Sequence, residues 1–252
     1  MPSTANCLQP DADADYSKAP EYPFPRALED GADVLSWVLS QPFYAPAHGL
    51  TLSGWSAGGN LCLALSTPTL SAKYGLPIEK AREHIKAGFS IFPCTDATAS
   101  SVPAKIAGGK DTLPPGTPGI TFTADRMQYF FEAYLLGHGN SEEEDKTVLL
   151  PELSPLKASD EQLKIWLETP LTIITCELDP LEAEATQFAK RLQAAGGKEA
   201  DVELLQLKGV AHSWEIRSTH DESKWAPDNA GGYAKRLAYD LIEKKMKILL
   251  SL

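Results

Sequence analysis

The chain has 252 residues, 43% of them hydrophobic and 23% charged, a composition typical of a soluble globular protein that can bury one sizeable core. Its net charge of −11 repels polyanions, which argues against nucleic acid as a partner and makes an anionic membrane surface an unfavourable one. No apolar run is long enough to cross a bilayer, so we expect no integral membrane contact and a cytoplasmic location.

The four cysteines are far apart in the sequence and include no C-x-x-C pair; they are Cys7, Cys62, Cys94 and Cys176. This spacing indicates neither a zinc site nor a disulfide framework. Cys62 and Cys176 lie in apolar runs, which is typical of buried thiols. We therefore expect no metal ion and a reducing environment.

Helical and strand patterns alternate along the chain. Three prolines make residues 15–26 an ordered loop, and from residue 27 an apolar helical face follows until Pro42. Short apolar or β-branched runs then predict four strands, at residues 50–53, 87–92, 171–175 and 202–207. This order favours an α/β fold over residues 1–252, a single domain with a mainly parallel sheet flanked by helices.

Residues 94–169 are too many for a simple connection between two strands, and we expect them to form a helical cap or lid inserted into the domain. A Pro- and Gly-rich part at residues 103–119 precedes a predicted helix with Thr123 as N-cap and Gly137 as its end. Its apolar stripe fits a core or the wall of a pocket and consists of Met127, Phe130, Phe131, Tyr134 and Leu135. The acidic run at residues 142–145 is interpreted as a solvated loop.

The most informative motif is G-W-S-A-G-G-N at residues 54–60, directly after the first predicted strand. A strand, a tight turn and a small-residue helix start predict a nucleophile elbow, in which Ser56 stands clear of the backbone and can attack a carbonyl. The amide of Ala57 would then point at the developing oxyanion. A phosphate-binding loop is disfavoured because the run lacks the G-x-x-x-x-G-K-[ST] pattern.

The nucleophile requires a base, and His212 is the best candidate because its loop follows the last predicted strand. An acid must orient the imidazole, and Asp179 lies in an Asp-Pro turn just past the third strand, with Glu177 as the rival. The order serine, acid, histidine is the α/β-hydrolase order. His48 precedes the Ser56 strand, at the wrong end of the sheet, and the remaining histidines are expected at the surface: His84, His138 and His220.

With these residues the chain resembles the hormone-sensitive-lipase-like group of α/β-hydrolases, an esterase and lipase family with a cap over the active site. The group's D-Y-R-L-A-P-E-x-P-F-P segment corresponds to residues 15–25, with Ser17 and Lys18 as departures, and its G-D-S-A-G-G-N elbow to residues 54–60, with Trp55 as a departure. Further matches are the lead-in to the acid strand at residues 153–156, the D-P-L turn at 179–181 and the histidine loop at 209–212.

The resemblance implies an α/β-hydrolase fold and a serine esterase acting on small-molecule carboxylic esters through an acyl-enzyme, without a cofactor. The catalytic residues would be Ser56, Asp179 and His212, with Ala57 in the oxyanion hole. A substrate pocket is expected from Trp55, Trp214, Phe130 and Tyr134. Two alternatives stay open, namely an amide or formamide hydrolase with the same triad and a non-catalytic, ligand-binding member.

The family's H-G-G-G loop, whose glycine amides complete the oxyanion hole, has no counterpart before residue 15. We therefore expect an N-terminally truncated member of the family with impaired activity, because one lost oxyanion donor costs about 2.7–4 kcal/mol. The early strands of the family are also expected to be missing or replaced, which would leave the strand at residues 50–53 as an exposed apolar edge.

Overall fold

The computed structural model describes residues 12–44, 49–66, 83–98, 101–107, 110–136, 150–218 and 220–249. Four strands are present in these ranges: β1 Leu50–Trp55, β2 Ile85–Ile91, β3 Leu171–Cys176 and β4 Val202–Leu207. The α-helices are α1 Arg26–Ser40, α2 Ala57–Leu65, α3 Val102–Ile106, α4 Ala124–Tyr134, α5 Asp160–Leu163, α6 Glu182–Gly196, α7 Trp214–Arg217 and α8 Ala230–Leu249. Short 3₁₀ helices occupy Pro155–Lys157, Lys164–Glu168, Gly197–Glu199 and Glu222–Lys224.

The four strands form one parallel sheet in the order β1-β2-β3-β4. All four strands predicted from the sequence are confirmed, each within about two residues of the predicted ends. Because every strand is parallel to its neighbour, the carboxyl ends of all four lie at one edge of the sheet, where ligand sites of open α/β sheets form. Among the residues that the structure describes, β1 has a hydrogen-bonded neighbour only on the β2 side, so it is the edge strand that the sequence predicted.

Helices cover both faces of the sheet. On one face, α2 packs on β1 and β2, α6 packs on β3 and β4, and Leu63, Ile173 and Phe188 belong to one buried cluster. On the other face, α8 packs on β2, β3 and β4, and Ile174 and Ala234 belong to a second cluster. Neighbouring residues of β3 thus point to opposite cores, which explains why this strand is apolar throughout and fully buried.

The proline-containing segment before α1 is a loop, as predicted, and the helix spans Arg26–Ser40. The loop is attached to the rest of the fold by the amide of Phe24, which donates to the Tyr134 carbonyl of α4 at 2.8 Å. Leu28 and Leu35 of α1 pack with Leu61 and Leu65 of α2 in a third cluster. The loop, α1 and α4 therefore lie together beside the nucleophile helix.

The chain between β2 and β3 contains α3, α4 and α5. The predicted helix is confirmed as α4, with Thr123 at its N-cap position; Gly137 and residues 142–145, to which the sequence assigned a helix end and a solvated loop, lie outside the described residues. Met127 is fully buried, whereas Phe130 is 55% exposed, so the apolar stripe belongs only partly to the core. No helix in the described ranges combines the length and the apolar character that crossing a bilayer requires.

Candidate active site

Ser56 lies between the end of β1 and the start of α2 with a backbone φ of 55° and ψ of −116°. A non-glycine residue seldom adopts such angles, and this strain holds the side chain away from both elements. A Cβ atom on Gly54 would lie 2.0 Å from the carbonyl oxygen of Gly58, so only glycine lets the strand and the helix approach this closely. The amide of Ser56 donates to Ile91 of β2 at 2.9 Å, which fixes the turn to the sheet.

The structure brings His212 to this turn. Its Nε2 atom lies 2.9 Å from the Ser56 hydroxyl, and its Nδ1 atom lies 2.7 Å from Oδ2 of Asp179. With the proton on Nδ1, the imidazole donates to the Asp179 carboxylate and accepts the hydrogen bond that the Ser56 hydroxyl donates. The three side chains that the sequence placed at the ends of β1, β3 and β4 thus form one hydrogen-bonded chain.

Asp179 is fully buried in the turn between β3 and α6. Its Oδ1 atom accepts from the amide of Leu181 at 2.9 Å, a local turn bond that aims the second oxygen at His212. Glu177, the rival acid, accepts instead from the amide of Gly209 at 2.9 Å. The hydrogen bond from the Gly209 amide, together with the nearby Lys208 ammonium, lowers the pKa of the Glu177 carboxyl. Glu177 therefore binds the histidine loop and leaves the imidazole to Asp179.

The remaining histidines lie elsewhere or outside the described residues. His84 is half-buried before β2, with its ring 5.5 Å from the Tyr44 ring, at the end of the sheet opposite to the triad. His220 is exposed, as predicted, and its Nδ1 lies 3.4 Å from the ammonium of Lys235. His48 and His138 lie outside the described residues.

Ala57, the predicted oxyanion donor, is the first residue of α2. Amides in the first turn of a helix have no carbonyl of the same helix to bind, so its N–H points away from the helix beside the nucleophile. The positive end of the α2 dipole lies at the same place. Position and polarity both suit a developing negative charge on a substrate oxygen.

The four residues expected in a substrate pocket fall into two groups. Trp55 is 41% exposed beside Ser56, and Phe130 contacts the Phe122 ring, which in turn contacts His212. Trp214 is 1% exposed and belongs to the core under α8. Tyr134 packs edge-on against Phe24 in the cluster between α1 and α2. The first two therefore lie near the triad, and the other two side chains belong to the core.

Sequence reasoning missed two residues that contact the imidazole. The Phe122 ring is stacked on His212 with centroids 4.8 Å apart and planes at 27°, and the Phe92 ring meets it at 4.8 Å and 63°. Phe92 directly follows β2, and Phe122 lies in the irregular chain before α4. No periodicity or motif marks either position, because their contact with His212 depends on a long-range approach of loops.

A buried ion pair close to the acid turn was also missed. Glu184 of α6 lies 2.9 Å from the ammonium of Lys105 in α3, and both side chains are almost completely buried. Burial raises the pKa of Glu184 to about 6, although the positive charge of Lys105 opposes this shift. The amide of Thr95 donates to the other carboxylate oxygen at 2.7 Å. No sequence pattern pairs these two residues, because their contact depends on the position of α3.

The parallel sheet, the strained serine at a strand–helix turn and the order serine, acid, histidine are the features of an α/β-hydrolase. Comparison with known proteins agrees: residues 12–216 match the model of a family described as alpha/beta hydrolase fold. The chain belongs to this family, which confirms the fold expected from the sequence.

Two curated relatives and one solved structure illustrate the similarity. The carboxylic ester hydrolase LipN of Mycobacterium tuberculosis is 30% identical over 205 residues, which are 79% of this chain and 47% of LipN. Mouse hormone-sensitive lipase is 35% identical over 103 residues, 40% of this chain and 12% of the lipase, which confirms the resemblance to its group. A structure of a fungal esterase from Rhizomucor miehei superposes with a TM-score of 0.65 at 25% identity, covering 93% of this chain and 62% of the esterase.

The chain spans about half the length of the curated relatives that it matches over most of its own sequence.

Proposed function

We propose that this protein hydrolyses carboxylic esters, with Ser56 as nucleophile, His212 as general base and acid, and Asp179 as the group that orients His212. The observation that carries the proposal is the hydrogen-bonded chain from the Ser56 hydroxyl through both imidazole nitrogens to a buried carboxylate, at 2.9 and 2.7 Å. The names of the relatives, among them carboxylic ester hydrolase and esterase, support the same chemistry.

The proposed reaction uses these groups in turn. The imidazole takes the proton as the Ser56 oxygen attacks the ester carbonyl, and Asp179 stabilises the imidazolium that results. The amide of Ala57 is suited to donate to the oxyanion of the tetrahedral intermediate. The imidazolium then gives its proton to the departing alkoxide, which leaves as an alcohol, and an acyl-enzyme remains on Ser56. Water, activated by His212, repeats the sequence and releases the carboxylic acid.

The proposed substrates are esters with small to medium acyl groups. Aromatic side chains lie close to the three residues, with Trp55 next to Ser56 in the chain and Phe130 in contact with Phe122, and they suit an uncharged acyl or alkyl group. Residues 94–169 are proposed as the cap, because α4 from this stretch supplies Phe130. A reducing, cytoplasmic location is also proposed, and its support is the spacing of the cysteines in the sequence, which indicates no disulfide framework.

The test compares hydrolysis of p-nitrophenyl acetate and p-nitrophenyl butyrate by the wild type and by Ser56→Ala. We expect a rate above the buffer background for the wild type and loss of this excess in the variant, because the nucleophile is removed. Ser53→Ala removes an exposed hydroxyl from the same strand and serves as the matched control, with wild-type activity expected. Equal rates for wild type and Ser56→Ala would contradict the proposal.

A further inference from the structure

The two hydrogen bonds of His212 leave one motion of its ring unrestrained. Both bonds lie in the plane of the imidazole, one at Nδ1 and one at Nε2. A displacement of the ring perpendicular to its own plane lengthens both bonds only slightly at first, yet it bends them away from linearity, so the acceptor lone pair of Nε2 no longer points at the serine hydroxyl. Groups packed on the ring itself oppose this displacement.

Two phenylalanine rings pack on the imidazole. Phe122 stacks on it at a centroid distance of 4.8 Å and an interplanar angle of 27°, and Phe92 contacts it at 4.8 Å with an angle of 63°. His212 is 4% exposed as a result, and Phe122 and Phe92 are 8% and 1% exposed. Stacked and edge-on contacts at these distances are favourable and directional, so the two rings resist displacement of the imidazole out of its plane.

The backbone holds both phenylalanines in place for this contact. In the part of the chain that the structure describes, three non-glycine residues have a positive φ: Ser56, Phe92 and Ser213, at 55°, 37° and 53°. Ser56 belongs to the triad, Phe92 contacts His212, and Ser213 follows His212 in the sequence. Such angles are unfavourable for residues with a side chain and persist only where the surrounding structure enforces them. At Phe92 the unusual φ turns the chain at the end of β2, where its ring meets His212.

Phe122 is positioned by pairing of its own segment with the histidine loop. The amide of Ile120 donates to the His212 carbonyl at 2.8 Å, and the amide of Ala211 donates to the Pro118 carbonyl at 2.9 Å. Gly119 has a φ of 121°, and a Cβ atom there would lie 2.7 Å from the His212 carbonyl oxygen. Residues 118–122 therefore follow the histidine loop closely, and this approach brings the Phe122 ring onto the imidazole.

We infer that Phe92 and Phe122 are positioning residues that keep the His212 imidazole aligned between Ser56 and Asp179. The inference rests on the proposed function, since alignment matters for rate only if His212 transfers protons. The face of Phe122 also offers a favourable contact to the imidazolium formed during the reaction, because an aromatic face attracts a cation. Phe122 thus acts through His212 and needs no contact with the substrate.

The test replaces the aromatic ring of Phe122 while keeping an apolar side chain. For Phe122→Leu we expect kcat for p-nitrophenyl acetate to fall about 10- to 100-fold, as for other small misplacements of a reacting group, with KM close to the wild-type value. Phe122→Tyr keeps the stacking face and should restore most of kcat. Phe188→Leu, a buried ring that packs on Trp166 in another cluster, should retain wild-type kcat. If Phe122→Leu fails to fold, Phe122→Met, which is flexible and lacks a flat face, takes its place.

A spectroscopic measurement separates this inference from the proposed function. The Nδ1 proton of His212, in its bond to Asp179, should give a downfield NMR resonance in wild type, Phe122→Tyr and Phe188→Leu, and a broadened or lost one in Phe122→Leu. If the four proteins show this pattern of resonances but the wild type has no hydrolysis that depends on Ser56, the proposed function is overturned and the positioning is supported. Wild-type kcat together with a sharp resonance in Phe122→Leu would overturn the positioning of His212 by Phe122.

Discussion

Ser56 illustrates how a single residue depends on its neighbours for chemical competence. Its hydroxyl is 2.9 Å from His212 only because the backbone at position 56 adopts a φ of 55°, and that turn exists only because Gly54 has no side chain. The serine itself was evident from the G-W-S-A-G-G-N motif. The sequence also offered His212 and Asp179 as its partners, and the structure adds that all three side chains lie within hydrogen-bonding distance.

Asp179 provides the sharpest single-residue prediction within the triad. Asp179→Asn keeps the size of the side chain but favours the wrong imidazole tautomer, so we expect kcat for p-nitrophenyl acetate to fall by about 10⁴ while the fold is retained. Circular dichroism and steady-state kinetics on the purified variant would measure the two effects.

Asp160→Asn is the matched control, because Asp160 is exposed and pairs with Arg191 away from the triad. A nearly active Asp179→Asn would show that another group orients His212. Glu177 would then be the first candidate, since its carboxylate binds the amide of Gly209 in the same loop.

At the scale of elements, α3 is attached to α6 by the buried pair of Lys105 and Glu184. The ammonium of Lys105 also lies 4.5 Å from the centre of the Phe131 ring of α4. Glu184 therefore connects the helix that follows Asp179 to two helices of the proposed cap. Such a buried pair is sensitive to the loss of one partner, because the other charge stays buried without compensation.

The raised pKa of Glu184 predicts how the contribution of this residue to the free energy of unfolding depends on pH. A carboxyl with a pKa of 4.5 when unfolded and about 6 when folded binds its proton more tightly in the folded state. Its contribution to the free energy of unfolding therefore falls as pH rises from about 4.5 to about 6. At about 1.4 kcal/mol per pKa unit, the loss is roughly 2 kcal/mol.

Urea unfolding of wild type and Glu184→Gln between pH 4 and pH 7 would measure this contribution. We expect the stability of the wild type relative to the variant to decrease over this interval, since glutamine does not titrate. Glu161→Gln, at an exposed position beside Lys164, is the control and should follow the wild-type pH dependence. A constant difference between wild type and Glu184→Gln would show that Glu184 has the same pKa in both states.

For the whole molecule, the edge strand and the net charge act in opposite directions. In the sheet formed by the described residues, β1 is an edge strand without charged side chains, a feature that favours pairing with another chain. The net charge of −11 opposes such association by repulsion between molecules. This repulsion weakens as the pH approaches the isoelectric point near 4.9.

A lysine on β1 should therefore reduce self-association. Ser53 is exposed on this strand, and Ser53→Lys places a charge where another strand would have to pair. Light scattering near pH 5 should show less association than for the wild type. Ala194→Lys adds the same charge at an exposed position of α6 and should not have this effect. If both lysines reduce association equally, net charge and not the β1 edge governs it.

Most of the fold could be predicted from the sequence because its signals are local. The apolar runs that became β1, β2, β3 and β4 are short and bounded by turn residues, and the helix over residues 124–134 shows a clear apolar stripe. The prediction was weaker for side-chain environment. Phe130 belongs to the same stripe as the fully buried Met127 but is half exposed, because the position of the helix decides which part of a stripe is covered.

By itself, the sequence determined the strand order along the chain, the nucleophile elbow at Ser56 and the candidates His212 and Asp179, since each rests on a short pattern with a direct effect on local backbone geometry. Only the tertiary structure decided between Asp179 and Glu177, paired Lys105 with Glu184, and placed Phe92 and Phe122 on the imidazole. The physical reason is that these contacts join residues distant in the chain, and packing of whole elements determines which distant side chains meet.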